Sequence, residues 1–184
     1  MNKKYEMTNK SVMHNGKKLY RIQALIDFGD VKAGDFGGYI EKEENLSHYN
    51  NAWVYNNAKI YDNAKVYDNA KVYGDAEVYG DAEVYGRAWV YDNALIKHNA
   101  KVYGDVEVYD RAWICDNAKV HGNAEVYGDA LIKNNAEVYG RAEVYDDVKI
   151  CDNVWIYGNA EVCDNAWICG NTRICGDAKV FGNY

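Results

Sequence analysis

The sequence holds no proline, only three phenylalanines and three methionines, and no apolar run that approaches membrane-spanning length. Proline removes a backbone N–H donor, so its absence indicates strands that are hydrogen-bonded along both edges. A transmembrane helix needs about 20 apolar residues, and the N-terminal segment also lacks the apolar stretch of a signal peptide. We therefore expect a soluble protein without a signal peptide or a membrane partner.

Other features that the sequence lacks exclude particular ligands and functions. Thr8 and Thr172 are the only threonines, which excludes the threonine columns of ice-binding solenoids, and the glycine-rich calcium nonapeptide is missing. The formal net charge of −7 argues against direct binding to nucleic acid or to an anionic membrane. The five cysteines, an odd number without a secretory signal, predict free thiols in a reducing compartment.

What the sequence does hold is a period of six, visible in "AKVYGDAEVYGDAEVYGRAWVYD". A valine or isoleucine occupies every sixth position from Val54 to Val180, in 22 of 22 repeats. The residue two positions earlier is alanine except at Val106, Val148, Val154 and Thr172. Residues two apart on a strand share one side of it, so the aliphatic position and the small position predict the core.

The other four positions of each hexapeptide predict an outer surface and a corner. The outward positions before and after the aliphatic residue carry mainly Lys, Glu, Trp and Tyr, and the first and second corner positions that follow carry residues of turns. Short equal strands joined by equal corners indicate a chain that coils on itself. We predict an all-β, single-stranded, triangular parallel β-helix of about 18 residues per coil and a little over seven coils. A pentapeptide right-handed helix would need a period of five.

The hexapeptides between residues 114 and 171, such as "ICDNAK", resemble the repeats of left-handed parallel β-helix proteins. Residues 27–47 resemble the N-terminal part of a bacterial and phage group of these proteins, labelled polymer-forming or acyltransferase-like. The residues that carry this resemblance are Asp27, Phe28, Asp30, Val31, Lys32, Ala33, Gly34, Gly37, Gly38, Asn45, Leu46 and Ser47. The resemblance implies a left-handed coil, a phage or prophage gene and a location in the cytoplasm of a bacterial host cell.

Residues 1–51 break the period and predict a β-hairpin cap. Asn15 and Gly16 lie between two alternating runs, which is a strong hairpin signal. A solenoid end exposes unpaired backbone and apolar core, which such a hairpin covers. We expect Ile40 and Leu46 to start a first imperfect coil and residues 52–184 to form the β-helix. A binding head is the alternative for the first segment.

Residues one predicted coil apart form columns on three faces, which we call the first, second and third face after Val54, Ile60 and Val66. Outward tyrosines form long columns on the first and third faces, and the first-face column includes Tyr73, Tyr91, Tyr109 and Tyr127. Stacked cross-strand aromatic pairs contribute roughly 0.2–1 kcal/mol each, and tyrosine also suits recognition surfaces. A structural role and a recognition role both stay open. Trp53, Trp89 and Trp155 are interpreted as further members of such columns.

The second face predicts a contact surface. Leu95, Trp113 and Leu131 should be vertical neighbours in its outward column, which also contains Trp167. We call the first three residues the apolar strip; Lys97, Cys115 and Lys133 flank them. An exposed apolar strip on an otherwise charged solenoid indicates a surface that contacts another molecule. Self-association is the first hypothesis, a foreign protein the second and a tolerated strip the third.

The C-terminal hexapeptide predicts a second self-association site. Open strand edges pair readily with another chain, and Ile174, Phe181 and Tyr184 lie close to this end of the sequence. A tail-to-tail dimer would cover both ends and leave the caps outward, so we expect a homo-oligomer, through this end or through the second face.

Candidate catalytic residues are scarce. His98, at a corner, is the only analogue of the catalytic histidine that the resemblance implies for acyltransferases, and no inserted loop interrupts the repeats to cover a substrate. The five cysteines replace tyrosine at outward positions; Cys151 and Cys169 lie one coil apart with parallel side chains and are expected to stay unbonded. No catalytic, cofactor-binding or metal-binding residue is predicted.

These observations favour a non-enzymatic structural or interaction solenoid that binds itself, a host protein, or both. The acidic excess lies on the repeats, since residues 52–184 carry 21 acidic and 13 basic residues, a net of −8. One alternative is therefore an acidic mimic of nucleic acid that inhibits a host defence or DNA-handling complex. The other alternative is an acyltransferase-like enzyme.

Overall fold

The chain folds as a left-handed parallel β-solenoid of about 8 turns, with about 18 residues per turn. The computed structural model describes residues 3–182. Strands β1 (Tyr5–His14) and β2 (Lys17–Ala24) form an antiparallel hairpin, and β3 (Phe36–Ile40) pairs with β2. A 3-10 helix follows at Glu43–Asn45. The predicted fold class is confirmed.

Three parallel sheets form the faces of the solenoid. The first-face strands are β4 (Trp53–Val54), β7 (Lys71–Val72), β10 (Trp89–Val90), β13 (Glu107–Val108), β16 (Glu125–Val126), β19 (Glu143–Val144), β22 (Glu161–Cys163) and β25 (Lys179–Phe181). The second-face strands are β5 (Lys59–Ile60), β8 (Glu77–Val78), β11 (Leu95–Ile96), β14 (Trp113–Ile114), β17 (Leu131–Ile132), β20 (Lys149–Ile150) and β23 (Trp167–Ile168). The third-face strands are β6 (Lys65–Val66), β9 (Glu83–Gly86), β12 (Lys101–Gly104), β15 (Lys119–Gly122), β18 (Glu137–Val138), β21 (Trp155–Ile156) and β24 (Arg173–Ile174).

The register between successive coils stays constant along the solenoid, and each residue pairs with the residue at the same repeat position one coil later. Leu95 pairs with Trp113, and Trp113 pairs with Leu131. The hydrogen bonds run from a backbone N–H to a carbonyl of the next coil, as from Trp113 to Ala130 at 2.8 Å. The pairing starts before the regular repeats, because Ile40 pairs with Ile60 and Leu46 bridges to Val66. Ile40 and Leu46 thus pair with aliphatic residues of the regular repeats.

The aliphatic and small positions fill the interior as predicted. Val54, Val72 and Val90 are fully buried, and so are the alanines two positions before them. The apolar core is continuous from Tyr5 in the hairpin to Ile174. A core of valine and alanine is narrow, so backbone hydrogen bonds and stacked side chains share the stabilisation with apolar burial.

Each corner turns on one left-handed residue. The first corner position has positive φ in every repeat from Asn56 to Gly176, whichever residue occupies it. Only Gly, Asp, Asn and one His stand there, and arginine occurs at the second corner position but never at the first. Asp and Asn tolerate the left-handed region because their short polar side chains hydrogen-bond locally. At Gly104 an added Cβ would also lie 2.6 Å from the Gly122 carbonyl oxygen.

The N-terminal segment extends the second-face sheet and packs against the first coil. The hairpin turn has φ of 47° at Asn15 and 77° at Gly16, the primed geometry that this dipeptide predicts. The ammonium of Lys4 is buried and donates to the Ala52 carbonyl at 2.8 Å, and burial lowers its pKa to about 8. Asn45, also buried, donates to the Ala64 carbonyl at 2.8 Å. These two side chains satisfy carbonyls of the irregular first coils.

The sequence-based interpretation of Trp53 is wrong. Trp53 stands at an outward position but is only 1% exposed, because the N-terminal segment covers it. The rings of Phe28 and Tyr5 pack edge-on against it, with centroids 5.3 Å and 6.0 Å away.

The expectation that all five thiols are free is also wrong. Cys151 and Cys169 form a disulfide across adjacent coils, and their Cα atoms are 4.7 Å apart. Register pairing of parallel strands places identical positions within the Cα separation of a disulfide, so parallel side chains do not prevent the bond. Cys115 and Cys163 are free and buried, and Cys175 is free and exposed.

We expect Asp110→Val to lower the free energy of unfolding by about 1–2 kcal/mol, because a β-branched residue is strained in the left-handed region. Asp110 has φ of 57°, and its carboxylate accepts the Gly128 backbone N–H. Urea unfolding followed by circular dichroism measures the change. Arg111→Val, at the second corner position, is the matched control and should change stability by less than about 0.5 kcal/mol. Equal effects of the two substitutions would contradict the corner assignment.

The disulfide predicts a thiol count. The unfolded, unreduced protein should react with a thiol reagent at three cysteines, and the reduced protein at five. Cys169→Ser should expose Cys151 and give four reactive thiols without reductant. Five reactive thiols in the unreduced wild type would exclude the bond.

Candidate functional site

The apolar strip is one continuous outward column on the second face. Leu95, Trp113 and Leu131 pair in register; Trp113 is 46% exposed and the two leucines beside it are half-buried. The ammonium of Lys97 lies 4.9 Å from the centroid of the Trp113 ring. Trp167 does not join the strip, because Lys149 lies between it and Leu131 in the column. It is 78% exposed, and its indole N–H donates to Cys169 Sγ at 2.8 Å.

The first face carries a stack of tyrosines beside a column of glutamates. Tyr91, Tyr109, Tyr127 and Tyr145 stack with centroids 4.8–4.9 Å apart. The hydroxyl of Tyr91 donates to Glu107 at 2.9 Å, and the hydroxyl of Tyr145 donates to Glu161 at 2.5 Å. Each bond joins a tyrosine, which follows the aliphatic residue of its own strand, to the glutamate that precedes the aliphatic residue in the next coil. The four stacked rings, held by a glutamate at Tyr91 and at Tyr145, form an outer layer on the first face that we call the tyrosine layer.

The first-face tyrosine column contains a gap between Tyr73 and Tyr91. Tyr73 stacks on Tyr55 at 4.2 Å, and Tyr55 donates its hydroxyl to Asp30 of the N-terminal segment at 2.8 Å. Trp89 takes the position relative to Tyr73 that a glutamate takes relative to Tyr91, and its ring packs edge-on to Tyr73 at 6.1 Å. An open groove of about 410 Å³ lies there. Tyr73 thus belongs to a different stack from Tyr91, Tyr109 and Tyr127.

The third face carries the longer aromatic stack. Its members are Tyr67, Tyr85, Tyr103, His121, Tyr139 and Tyr157, with centroids 4.7–5.0 Å apart. His121 takes a tyrosine position, and its Nε2 lies 2.8 Å from a Glu137 oxygen, as Tyr67 donates to Glu83 at 2.7 Å. His98 stands at a first corner position with φ of 60°, and its Nδ1 lies 2.8 Å from Asp116. Both histidines are therefore held by carboxylates at the surface.

Sequence reasoning missed an asparagine ladder at the corner after the second face. The side-chain amide of Asn99 donates to Asn117, and the same bond repeats from Asn117 to Asn135, from Asn135 to Asn153 and from Asn153 to Asn171, at 3.0–3.3 Å. The ladder borders an open groove of about 500 Å³. The signal was present as an asparagine at the second corner position of successive coils. In-register asparagines stabilise stacked parallel strands in this way.

Charge is unequal between the first and second faces. Glu107, Glu125 and Glu143 are consecutive in one outward column of the first face. Burial and the neighbouring Glu143 and Glu107 raise the pKa of Glu125. The second face presents cations instead, with Lys97 and Lys133 in its outward column after the aliphatic residues and Lys149 in the column before them.

Within residues 3–182, two clusters each bring three metal-ligating side chains within 4.8 Å of one another. In the first, Cys151 and Cys169 are joined by the disulfide, which leaves only Asp152 as a donor. The second comprises Asp146, Cys163 and Asp164, and Asp146 already accepts the Asp164 backbone N–H at 3.2 Å. The spacing of the cysteines does not indicate this second cluster, because two of its three members are aspartates.

The C-terminal candidates are only partly visible. Ile174 lies in β24 and is 9% exposed, and Phe181 in β25 is 54% exposed. Tyr184 lies outside the described residues. A dimer through this end stays a prediction.

No family model and no curated protein sequence matches the chain. Within residues 3–182 there is no helix of the length and apolar character that spanning a membrane requires.

The tyrosine layer predicts a loss of stability at alkaline pH. Burial together with Tyr127 and Glu125 raises the pKa of Tyr109 to about 12, and burial together with Glu107 raises that of Tyr91. A raised folded pKa means that the stabilisation is complete below the ordinary tyrosine pKa of about 10 and is lost as pH rises through the folded value. Urea unfolding across this range, with tyrosinate absorbance as a second readout, measures the loss.

A double variant, Tyr91→Phe and Tyr109→Phe, is the control for this loss. It removes two titrating groups and should lose less stability above about pH 10 than the wild type. Identical pH profiles for the two proteins would rule out the tyrosine layer as the cause.

Proposed function

We propose that the protein is a non-catalytic interaction solenoid whose binding surface is the apolar strip. The observation that carries this proposal is the in-register exposure of Leu95, Trp113 and Leu131 on a face whose other outward side chains, apart from Trp167, are charged, tyrosine or cysteine. A rigid column with a central tryptophan is typical of the few residues that dominate an interface.

The charge pattern favours the first face of a second copy as the surface that meets the strip. Two second faces in contact would bring the columns of Lys97 and Lys133 against themselves. Glu125 and Glu143, both exposed, instead repeat with the same one-coil spacing as the second-face columns. Ion pairs along such columns select orientation and partner more than they add affinity. A contact between unlike faces forms rings or open assemblies.

Sedimentation velocity of two variants tests the strip. Trp113→Glu should weaken self-association about 30-fold, the scale of a central interface residue. Trp155→Glu, an exposed tryptophan of the third face, is the matched control and should associate as the wild type does. Association that persists unchanged in Trp113→Glu would reject the strip as the binding surface.

Charge reversal tests which face is bound. Lys133→Glu and Glu125→Lys should each weaken association, and the double variant should restore it, because it rebuilds the pair between unlike faces. Two single losses without restoration would show that Lys133 and Glu125 do not face each other, and would reject this part of the first face as the surface that meets the strip. A monomeric wild type would exclude self-association and leave a host protein with an acidic rim as the remaining proposal.

An acidic mimic of nucleic acid is the second candidate, and one observation favours it. The corner after the first face repeats acidic residues next to the glutamate column, at Asp92, Asp110, Asp129, Asp146 and Asp164. In a phage-borne protein this edge would occupy a host protein that handles DNA. Lysines on the second and third faces confine the acidic surface to one edge. Competition with duplex DNA for such a protein, lost in Asp110→Lys with Asp146→Lys, tests this role.

Acyl transfer has less support. A general base needs a positioned, partly desolvated side chain beside a substrate pocket. His98 and His121 instead lie on the outside of the solenoid against Asp116 and Glu137. Absence of acetyl-CoA hydrolysis or transfer in the purified protein is the expected result.

A further inference from the structure

We infer that the groove between Tyr73 and Tyr91 is a binding site for the guanidinium group of an arginine side chain from a partner polypeptide. This site lies on the first face and is separate from the apolar strip. It is lined by Asn56, Tyr73, Gly74, Trp89, Tyr91, Asp92 and Glu107. Three of these residues are aromatic and two are carboxylates, and of the described residues that line the groove none is cationic.

The groove exists because two local features interrupt the column. The N-terminal segment anchors the lower stack, since Asp30 binds both the hydroxyl of Tyr55 and the ammonium of Lys71 at 2.8 Å. Trp89 replaces the glutamate that would accept the hydroxyl of Tyr73. The upper stack begins at Tyr91, which is held by Glu107. The two stacks are therefore fixed independently, and the space between them is bordered by aromatic rings.

Comparison with Trp113 and Trp155 shows that Trp89 lacks a cation close to the centre of its ring. Trp155 has the guanidinium of Arg173, its partner in the next coil, at 4.6 Å from its centroid. Trp113 has the ammonium of Lys97, from the preceding coil, at 4.9 Å. At Trp89 the corresponding positions hold Glu107 and Tyr73. Lys71 comes only to 5.8 Å and is already bound by Asp30.

These contacts define the chemistry of the occupant. Trp89 is 44% exposed and its ring attracts a cation, while Asp92 and Glu107 supply two negative charges at the rim. A guanidinium is planar, stacks on aromatic rings and donates several hydrogen bonds to carboxylates in one plane. An ammonium is a compact, strongly hydrated charge that stacks less well. The groove thus fits arginine better than lysine.

The test is an NMR titration of the full chain with three blocked tripeptides, Gly-Arg-Gly, Gly-Lys-Gly and Gly-citrulline-Gly. Citrulline has the shape of arginine without its charge. Backbone amides of Tyr91 and Asp92 report binding in every variant, and the Trp89 indole N–H is assigned by its loss in Trp89→Glu. The arginine peptide should bind about tenfold more tightly than the citrulline peptide, and more tightly than the lysine peptide.

Trp89→Glu separates a shaped site from simple attraction of charge. This substitution places at position 89 the residue that Glu107 and Glu125 provide in the following coils. The new glutamate gives the Tyr73 hydroxyl an acceptor in the next coil and closes the gap between Tyr73 and Tyr91. It also adds a negative charge. Binding should be lost, whereas charge attraction alone would strengthen it. Asp92→Asn, which tolerates the left-handed corner, should weaken binding severalfold, and Trp155→Glu should leave it unchanged.

Each remaining outcome would overturn the inference. Equal affinities for the arginine and citrulline peptides would show that the site does not select a cation. Equal affinities for the arginine and lysine peptides would show that it does not select a guanidinium. Binding retained in Trp89→Glu, or no chemical-shift change at Tyr91 and Asp92 with any peptide, would reject the groove as the binding site. None of these outcomes bears on the apolar strip, which is tested by self-association.

Discussion

The backbone ladder between coils is the interaction on which the rest of the structure depends. Each coil binds the next through N–H groups that donate to carbonyls of that coil, as Leu95 does to Ala112 at 2.9 Å. From Val54 to Val180 the paired residues are always 18 positions apart, so the register never shifts along the regular coils. Every residue is consequently stacked on the residue at the same position of the neighbouring coil, and the chemistry of the surface is a set of vertical columns. The absence of proline is the same constraint seen from the sequence.

Columns of identical side chains stabilise the solenoid for some residue types and destabilise it for others. Tyrosines and asparagines gain from stacking, because rings 4.8 Å apart pack face to face and amides bond along the column. Stacked carboxylates are destabilised in their charged form: burial, together with the neighbouring Glu143 and Glu107, raises the pKa of Glu125. The sequence relieves this repulsion on part of the surface, where tyrosine hydroxyls or lysines reach the glutamates. The uncompensated part of the column is also where a cationic surface would be most favoured.

The repeats predicted the core and the corners because those depend on spacing alone. Val54 to Val180 mark the interior whatever their rotamers, and a residue such as Asp110 or Asn134 at the first corner position indicates a left-handed turn. The two wrong predictions, for Trp53 and for the cysteines, concern features that depend on side-chain orientation and on contacts from outside the column. Trp53 is buried by a segment that does not repeat, and the bond between Cys151 and Cys169 depends on their rotamers.

The candidate site was predictable to a similar extent. The register of Leu95, Trp113 and Leu131 follows from the length of the coil, but the exclusion of Trp167 follows from the lysine between them. The break between Tyr73 and Tyr91 could not be predicted from spacing, because it arises where Asp30 of the N-terminal segment reaches the first column.

The unbroken run of 22 hexapeptides also determines how such a molecule can change its length. Removing three consecutive hexapeptides shortens the solenoid by one coil. Each residue after the deletion then stays in the same face and the same column as before. Removing a single hexapeptide turns the entire upper part by a third of a revolution, so that strip, stacks and ladder no longer line up with their lower halves. Gene duplication in units of three repeats would therefore lengthen the surface without rewriting it.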